Sequence, residues 1–120
     1  MTTTEEQVLR TYVDSFNRHD LDAVMQCFVD DVVIVDILGK RHEGREEVRQ
    51  FYMAQFAMFP DGRCDIRLVT GREAAGMAET DFHGTHAKTG KAVTASGAEI
   101  VEFAGGKIKE LRDYHRLTGG

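Results

Sequence analysis

The sequence lacks the features of a membrane-spanning or nucleic-acid-binding protein. It contains one proline, two cysteines and no tryptophan in 120 residues, and its formal net charge at pH 7 is −5. Apolar runs such as Val32 to Val35 are far shorter than the roughly 20 residues that a membrane-spanning helix needs. No run of lysine and arginine is long enough to follow a phosphate backbone. We therefore expect neither a membrane nor nucleic acid as a partner.

The N-terminal residues and the scarce cysteines both favour the cytoplasm. Met1 to Glu6 lack the basic and apolar regions of a signal peptide. Cys27 and Cys64 each fall within an apolar pattern, where a free cysteine behaves as a small hydrophobic residue. Because disulfides are rare in reducing compartments, we expect a cytoplasmic protein without one.

Nothing in the sequence marks a boundary between domains. A length of 120 residues is typical of one domain with one hydrophobic core. No linker rich in proline, glycine or serine precedes Gly119-Gly120, and no internal repeat is present. The common nucleotide-binding and serine-hydrolase motifs are missing as well. The prediction is a single domain over residues 1–120, with one site.

The first predicted helix covers residues 5–17. Thr4 and Gln7 have the spacing of a capping box, and apolar residues then recur at helical intervals. The apolar face of this helix carries one hydroxyl group, that of Tyr12.

Two further helices are predicted before residue 63. Asp20 can cap a short second helix, whose apolar side extends to Phe28 and which ends at Asp30-Asp31. Acidic residues that follow Glu43 suit the positive end of a third helix, which Pro60 closes.

Strand patterns occupy most of the remaining sequence. Val32–Val35 is a β-branched run, and from Cys64 onward apolar residues alternate with polar ones. Turns near Gly71, Gly90 and Gly105-Gly106 divide the second half into four antiparallel strands. This order predicts an α+β, cone-shaped fold, with N-terminal helices packed on a strongly curved, mainly antiparallel sheet.

Three carboxyl groups interrupt the apolar patterns of these strands. Glu99 shares a strand face with Val101, and Asp113 shares one with Leu111. A two-residue Gly105-Gly106 loop would put Glu99 and Asp113 on opposite faces of the sheet. A three-residue loop would pair Glu99 with Leu111 and leave Asp113 diagonal to it, and the apolar pattern favours this register. Asp36 likewise ends an apolar strand.

Carboxyl groups in an apolar pocket can act as an acid and a base. Burial raises their pKa values, and two that share a site push these values apart, so that one is ionised while the other stays protonated. Alternatively, Glu99 and Asp113 are residues of the rim, paired with Arg72, Arg112 or a lysine.

The first half of the chain resembles ketosteroid isomerases in the order and spacing of its motifs. The matching segments are Tyr12-Val13, Asn17 to Asp22, Phe28 to Asp31, Val35-Asp36 and Gly44 to Tyr52. The resemblance implies that Tyr12 donates to a developing oxyanion and that Asp36 moves the proton. Glu99 falls where that family has an aspartic acid as second donor, and it is longer by one methylene group.

The second half is more similar to SnoaL-like polyketide cyclases. The matching segments are His83 to His86, Thr89 to Lys91, Gly97, Gly105 to Ile108 and Arg112 to Tyr114. This resemblance implies that Asp113 is the acid/base residue, whereas those cyclases commonly have a histidine at the position of Glu99. The whole chain thus resembles the nuclear transport factor 2-like superfamily.

Arg112-Asp113-Tyr114 is also similar to a segment of limonene epoxide hydrolases. Their preceding strand needs an arginine two residues before its carboxylate, and here that place is Gly97. We count this against epoxide hydrolysis.

Apolar and aromatic residues are candidates for the lining of a ligand pocket. The predicted substrate-binding residues are Phe28, Tyr52, Phe56, Phe82, Val101 and His115. His115 shares the face of Asp113 and could orient it, although a half-exposed position near the end of the last strand is the alternative. His83 and His86 point to opposite faces of a strand, so we expect no metal, and the proposed chemistry needs no cofactor.

Two functions remain open at this point. The first is an enzyme that moves a proton next to a carbonyl group of an apolar, steroid-like or polyketide-like ligand, as an isomerase or a cyclase. The second is a binding or dimerisation module without chemistry. A homodimer is expected in both cases, because Ile100 and Tyr114 lie on the uncovered face of the sheet.

Overall fold

The computed structural model describes residues 2–119 as three helices and seven strands. In chain order these elements are α1 (Thr4–Asn17), α2 (Leu21–Gln26), β1 (Phe28–Val35), β2 (Arg41–Glu43), α3 (Gly44–Met58), β3 (Arg63–Arg72), β4 (Ala75–Thr85), β5 (Ala92–Ala104), β6 (Lys107–Asp113) and β7 (Arg116–Gly119). No helix within residues 2–119 is long and apolar enough to cross a membrane.

The helices form where the sequence predicts them, with small differences at their ends. The capping box of α1 is one residue earlier than predicted, since Thr3 is the N-cap and Glu6 completes the box. Asp20 caps α2 as expected, through a bond from the backbone amide of Ala23. Phe28, however, does not belong to α2. The helix ends at Gln26, and Phe28 starts β1, where it pairs with Ile108 of β6.

The strands form one curved sheet whose order is β2-β1-β6-β5-β4-β3, and β7 also pairs with β5. The sheet is mixed, because β1 and β6 run parallel while the other neighbours are antiparallel. The core between sheet and helices includes Leu9, Val48 and Val101, none of which is exposed to solvent. The predicted α+β architecture is confirmed, with helices on one face of the sheet.

The hairpin between β5 and β6 differs from the predicted register. The loop is the two-residue Gly105-Gly106 turn, with Ala104 opposite Lys107. Between Glu102 and Phe103 the ladder then shifts by one residue, because Lys109 of β6 is an extra, bulged residue between the partners Ile108 and Glu110. The bulge brings Glu99 and Asp113 to the same face, as direct partners rather than as diagonal neighbours.

The predicted last strand is broken in two. β6 ends at Asp113, and β7 resumes at Arg116 beside an earlier part of β5. At the break the backbone passes close to Gly97, where an added Cβ would lie 2.4 Å from the carbonyl oxygen of Tyr114 and 2.5 Å from the Cα of His115. This close approach requires glycine at position 97, and it brings His115 inward over the sheet.

Candidate active site

A cavity of about 330 Å³ opens between the helices and the concave face of the sheet. Its lining residues come from α1, α3 and six strands, together with the turn after β1 and the segment around His115. Tyr12, Tyr52 and Glu99 are almost fully buried, whereas Leu38 and Leu117 are 88% and 68% exposed. The cavity therefore has a closed, polar end and a wide apolar mouth.

Three hydroxyl and carboxyl groups meet at the closed end. The hydroxyl groups of Tyr12 and Tyr52 are 2.6 Å apart, and the Tyr12 hydroxyl lies 3.4 Å from Oε2 of Glu99. Burial, followed by the nearby charge of Glu99, raises the pKa of both tyrosines well above the ordinary value. Both tyrosines therefore keep their protons and can donate them in hydrogen bonds at neutral pH.

Glu99 is the most perturbed carboxyl group of the cavity. Burial and the neighbouring charge of Asp113 raise its pKa to about 8, although His115 and the hydrogen bond from Tyr12 oppose the shift. Oε1 of Glu99 has no hydrogen-bond partner among residues 2–119. Every fully enclosed side-chain oxygen in that part of the chain does have a partner, so Oε1 opens onto the cavity. At pH 7 Glu99 is an uncharged acid with one free oxygen.

Asp113 and His115 form a second polar group on the wall of the cavity. Oδ1 of Asp113 accepts from the backbone amide of His115 at 2.9 Å and lies 2.6 Å from its Nδ1. Nε2 of His115 is 2.8 Å from the hydroxyl and 3.1 Å from the carbonyl oxygen of Thr80. Burial lowers the pKa of His115, but the hydrogen bond and charge of Asp113 outweigh burial and raise it overall.

The side chain of His115 is 7% exposed, so the alternative of a half-exposed terminal histidine is wrong. The physical reason is the break in the last strand, which carries His115 over Gly97 onto Thr80. Oδ2 of Asp113, by contrast, has no partner within residues 2–119 and remains available to a ligand.

Asp36 lies at the mouth of the cavity and holds the turn between β1 and β2. Its Oδ1 accepts from the backbone amides of Leu38 and Lys40, and its Oδ2 is 2.9 Å from Nε2 of His42. Desolvation raises the pKa of Asp36, but these hydrogen bonds together lower it below the ordinary value. Asp36 is thus an ionised group whose two oxygens are both engaged.

Glu99 and Asp113 do not pair with Arg112, as the alternative interpretation of the sequence predicted. Arg112 points to the other face of β6, where it bonds Glu102 and Glu110. Glu99 and Asp113 face the cavity.

Most of the predicted site residues lie together, and three do not. Tyr12, Asp36, Glu99, Asp113, Tyr52, Phe82 and His115 line the cavity. Phe28 and Val101 are 1% and 0% exposed and belong to the core beneath it. Phe56 stacks on the ring of His19 at 4.5 Å. None of these three residues lines the cavity, so the prediction that they bind substrate is not supported by their positions.

Sequence reasoning missed two residues that orient the polar groups. Thr80 and His42 are partners of His115 and Asp36, respectively. Thr80 is fully buried on β4 and pairs with Gly97 of β5, so the glycine is the one signal that could have indicated the contact. His42 lies six residues from Asp36 across a turn, which a hairpin pattern could have suggested.

Cysteine and metal chemistry add little to the site. Cys27 and Cys64 are both free, and burial followed by the charge of Glu99 raises the pKa of the Cys64 thiol to about 12. Such a thiol is a poor nucleophile. Within residues 2–119, no group of three or more histidine, cysteine, aspartate or glutamate side chains could hold a metal ion.

Comparison with known proteins identifies the fold and the family. The sequence model of the SnoaL-like domain matches residues 9–111, so the chain belongs to the SnoaL-like domain family. Its fold is nuclear transport factor 2-like, the fold of a protein of unknown function from Burkholderia pseudomallei K96243. That structure has a TM-score of 0.83 and 18% identity, over 98% of this chain and 92% of that chain.

Two further solved structures are similar to the chain. A candidate polyketide cyclase from Xanthomonas campestris pv. campestris has a TM-score of 0.83 and 22% identity, over 91% of this chain and 87% of that one. A protein with a ketosteroid isomerase-like fold from Catenulispora acidiphila DSM 44928, in complex with trimethylamine, has a TM-score of 0.80 and 20% identity, over 94% and 88%. No curated protein sequence is similar enough to count as a relative. These identities establish the fold alone.

Proposed function

We propose that the protein is an acid–base enzyme that removes a proton next to a carbonyl group of an apolar small molecule. The observation that carries the proposal is the buried group of Tyr12, Tyr52 and Glu99 at the closed end of the cavity. A carbonyl oxygen bound there receives hydrogen bonds from the uncharged acid of Glu99 and from Tyr12, whose single proton then points to the ligand instead of to Oε2 of Glu99. These bonds strengthen as negative charge develops on that oxygen, which favours the enolate.

Asp113 is the base in this proposal. Its Oδ2 faces the cavity without a protein partner among residues 2–119, whereas both oxygens of Asp36 are engaged in the turn. A carboxylate whose pKa is lowered by three hydrogen bonds is also a weaker base. Asp113 takes the proton from carbon, and His115 stabilises the carboxylate before the transfer and keeps its Oδ1 in place.

Two reactions share this first step. In ring closure, the enolate carbon attacks a second carbonyl group of the same ligand, and the new alkoxide takes the proton back from Asp113. The position of Asp113 in the family pattern and the similarity to a candidate polyketide cyclase favour this reaction. In double-bond isomerisation, Asp113 returns the proton to another carbon, and the two oxyanion donors support this second candidate. Neither reaction consumes a cofactor.

The shared step is measurable without knowing the natural substrate. Exchange of the hydrogen next to the carbonyl for deuterium is followed by NMR in D₂O, on β,γ-unsaturated 3-ketosteroids and on aromatic polyketide esters. Positioned proton transfer contributes about 10²–10⁴-fold, so Asp113→Asn is expected to slow exchange at least about 100-fold. Asp36→Asn, the matched control, is expected to retain exchange within about tenfold.

The outcomes separate the candidates. Loss of exchange in Asp36→Asn alone would move the base to the mouth of the cavity and contradict the role of Asp113. No exchange in the natural protein with any ketone would contradict the enzyme and favour a binding module. A homodimer through the outer sheet face, where Tyr114 is 62% exposed, remains a prediction.

A further inference from the structure

The ionisable side chains that line the cavity are mainly acidic. Three carboxyl groups line it, those of Asp36, Glu99 and Asp113, and no lysine or arginine does so within residues 2–119. The one lining residue of that range that can carry a positive charge is His115, which is already bonded to Asp113. A ligand with a carboxylate would find no counter-charge in the cavity, whereas a ligand with a positive charge would find the carboxyl groups of Asp36, Glu99 and Asp113.

The surroundings of Glu99 are a second observation, separate from the charge of the lining, that indicates a ligand site. Its side chain is nine-tenths buried, with a residue exposure of 9%, and Oε1 has no partner among the described residues. That oxygen points into the cavity rather than into the protein. A carboxyl oxygen that faces an apolar cavity without a protein partner can accept a hydrogen bond or a counter-charge from a ligand.

The apolar lining completes a site for an organic cation. Six aromatic rings line the cavity: those of Tyr12, Phe16, Phe51, Tyr52, Phe59 and Phe82. The faces of aromatic rings attract alkylammonium groups, and this attraction is strongest where water is excluded. The small, strongly hydrated ions Na⁺ and K⁺ gain little from such a lining, and a bulky alkylammonium ion gains most.

We propose that the cavity binds an apolar alkylammonium ion, with its positive charge against Oε1 of Glu99, and that binding releases the carboxyl proton of Glu99 to solvent. One positive charge enters as one proton leaves, so the net charge of the site is unchanged. The proposal uses the cavity of the proposed function but not its chemistry. An ammonium ligand therefore competes with the carbonyl substrate.

The pH dependence follows from the groups that face Glu99. These are Asp113 from β6, His115 beyond it, Tyr12 from α1, Tyr52 from α3 and Cys64 from β3. The tyrosines and the cysteine keep their protons near pH 7. Below pH 8 the cation must displace the Glu99 proton, so apparent affinity is expected to rise about tenfold per pH unit and to level off above pH 8.

The test is isothermal titration calorimetry with benzyltrimethylammonium and with neopentylbenzene, which has the same shape without the charge. Titrations in phosphate and ACES at pH 6.5, and in borate and CHES at pH 9, measure proton release, because the two buffers of each pair differ in their heat of ionisation. The expected result is release of close to one proton per bound cation at pH 6.5 and little at pH 9. At pH 9 the cation is expected to bind at least tenfold more tightly than its uncharged counterpart.

Two variants test whether Glu99 is the group that binds the cation and releases the proton. Glu99→Gln is expected to abolish proton release and to weaken cation binding at least tenfold at pH 9. Glu102→Gln, a change on the outer face of the same strand, is expected to behave like the natural protein. Equal binding of the two ligands at pH 9, or proton release that persists in Glu99→Gln, would overturn the proposal. If the protein binds the cation but catalyses no hydrogen exchange, only the proposed enzymatic function is refuted. If it catalyses exchange but does not bind the cation, only the proposed cation site is refuted.

Discussion

Glu99 and Asp113 are direct partners across the ladder between β5 and β6, on the face that lines the cavity. Two carboxyl groups in such a position cannot both ionise without strong repulsion. The structure gives them different surroundings, since Asp113 accepts two hydrogen bonds from His115 while Glu99 is buried beside two tyrosines. This difference assigns the charge to Asp113 and the proton to Glu99.

Burial of Glu99 makes the protein less stable as pH rises. Its pKa is about 8 in the folded protein, against 4.5 for the ordinary group, so the folded state holds a proton that the unfolded state has lost. The stabilising effect is complete below the unfolded pKa and disappears as pH rises through 8. At about 1.4 kcal/mol per pH unit, the natural protein should lose about 3 kcal/mol between pH 5.5 and 8, relative to Glu99→Gln.

Urea unfolding of both proteins at several pH values measures this difference. Titrating groups that lie far from Glu99 cancel in the comparison, because the two proteins differ only in one carboxyl group. Parallel stability curves would mean that Glu99 titrates alike in the folded and unfolded protein.

The pKa of His115 should depend on Asp113 and not on Asp36. Burial alone lowers the pKa of this imidazole, and the hydrogen bond and charge of Asp113 reverse the effect. Asp113→Asn is therefore expected to lower the pKa of His115, and Asp36→Asn to leave it as in the natural protein. NMR titration of the imidazole C2 proton is the measurement. An unchanged pKa in Asp113→Asn would contradict the ion pair.

Gly97 should be intolerant of any side chain. A Cβ at this position would lie 2.4 Å from the carbonyl oxygen of Tyr114 and 2.9 Å from the backbone nitrogen of His115. Gly97→Ala is expected to cost about 1–3 kcal/mol of unfolding free energy, as overpacked positions do. It should also move His115 away from Thr80. Urea unfolding and the NMR shift of the imidazole test the two effects, and an alanine variant that matches the natural protein in both would refute the close approach.

Local sequence patterns predict the helices and most strands of this protein well. Helical spacing of apolar residues and the cap at Asp20 locate α1 to within one residue and the start of α2 at Leu21, but the end of α2 was predicted at Asp30-Asp31 and lies at Gln26. The pattern failed at Phe28, because an apolar residue at helical spacing also suits the first position of a buried strand. Pairing with Ile108, which is 80 residues away, decided between the two.

The sequence predicts most residues of the site, but not how their side chains are positioned relative to one another. Alternation along β5 identifies Glu99 as a carboxyl group on a buried face, and this feature is local. The bulge at Lys109 of β6 is not visible in the sequence, and without it Asp113 would pair with a different residue of β5. The contact of His115 with Thr80 depends on a break in the last strand, which a period-two pattern does not reveal.

The protonation state of Glu99 is the most direct test of this account. Carbon-13 NMR of a protein labelled at the glutamate side-chain carboxyl carbon follows its ionisation between pH 4 and 10, and Glu99→Gln assigns the signal. The account predicts an uncharged carboxyl group at pH 7, with a midpoint near 8. A midpoint near the ordinary value of 4.5 would mean a charged Glu99 at pH 7 and would contradict both its donor role and the proton release on cation binding.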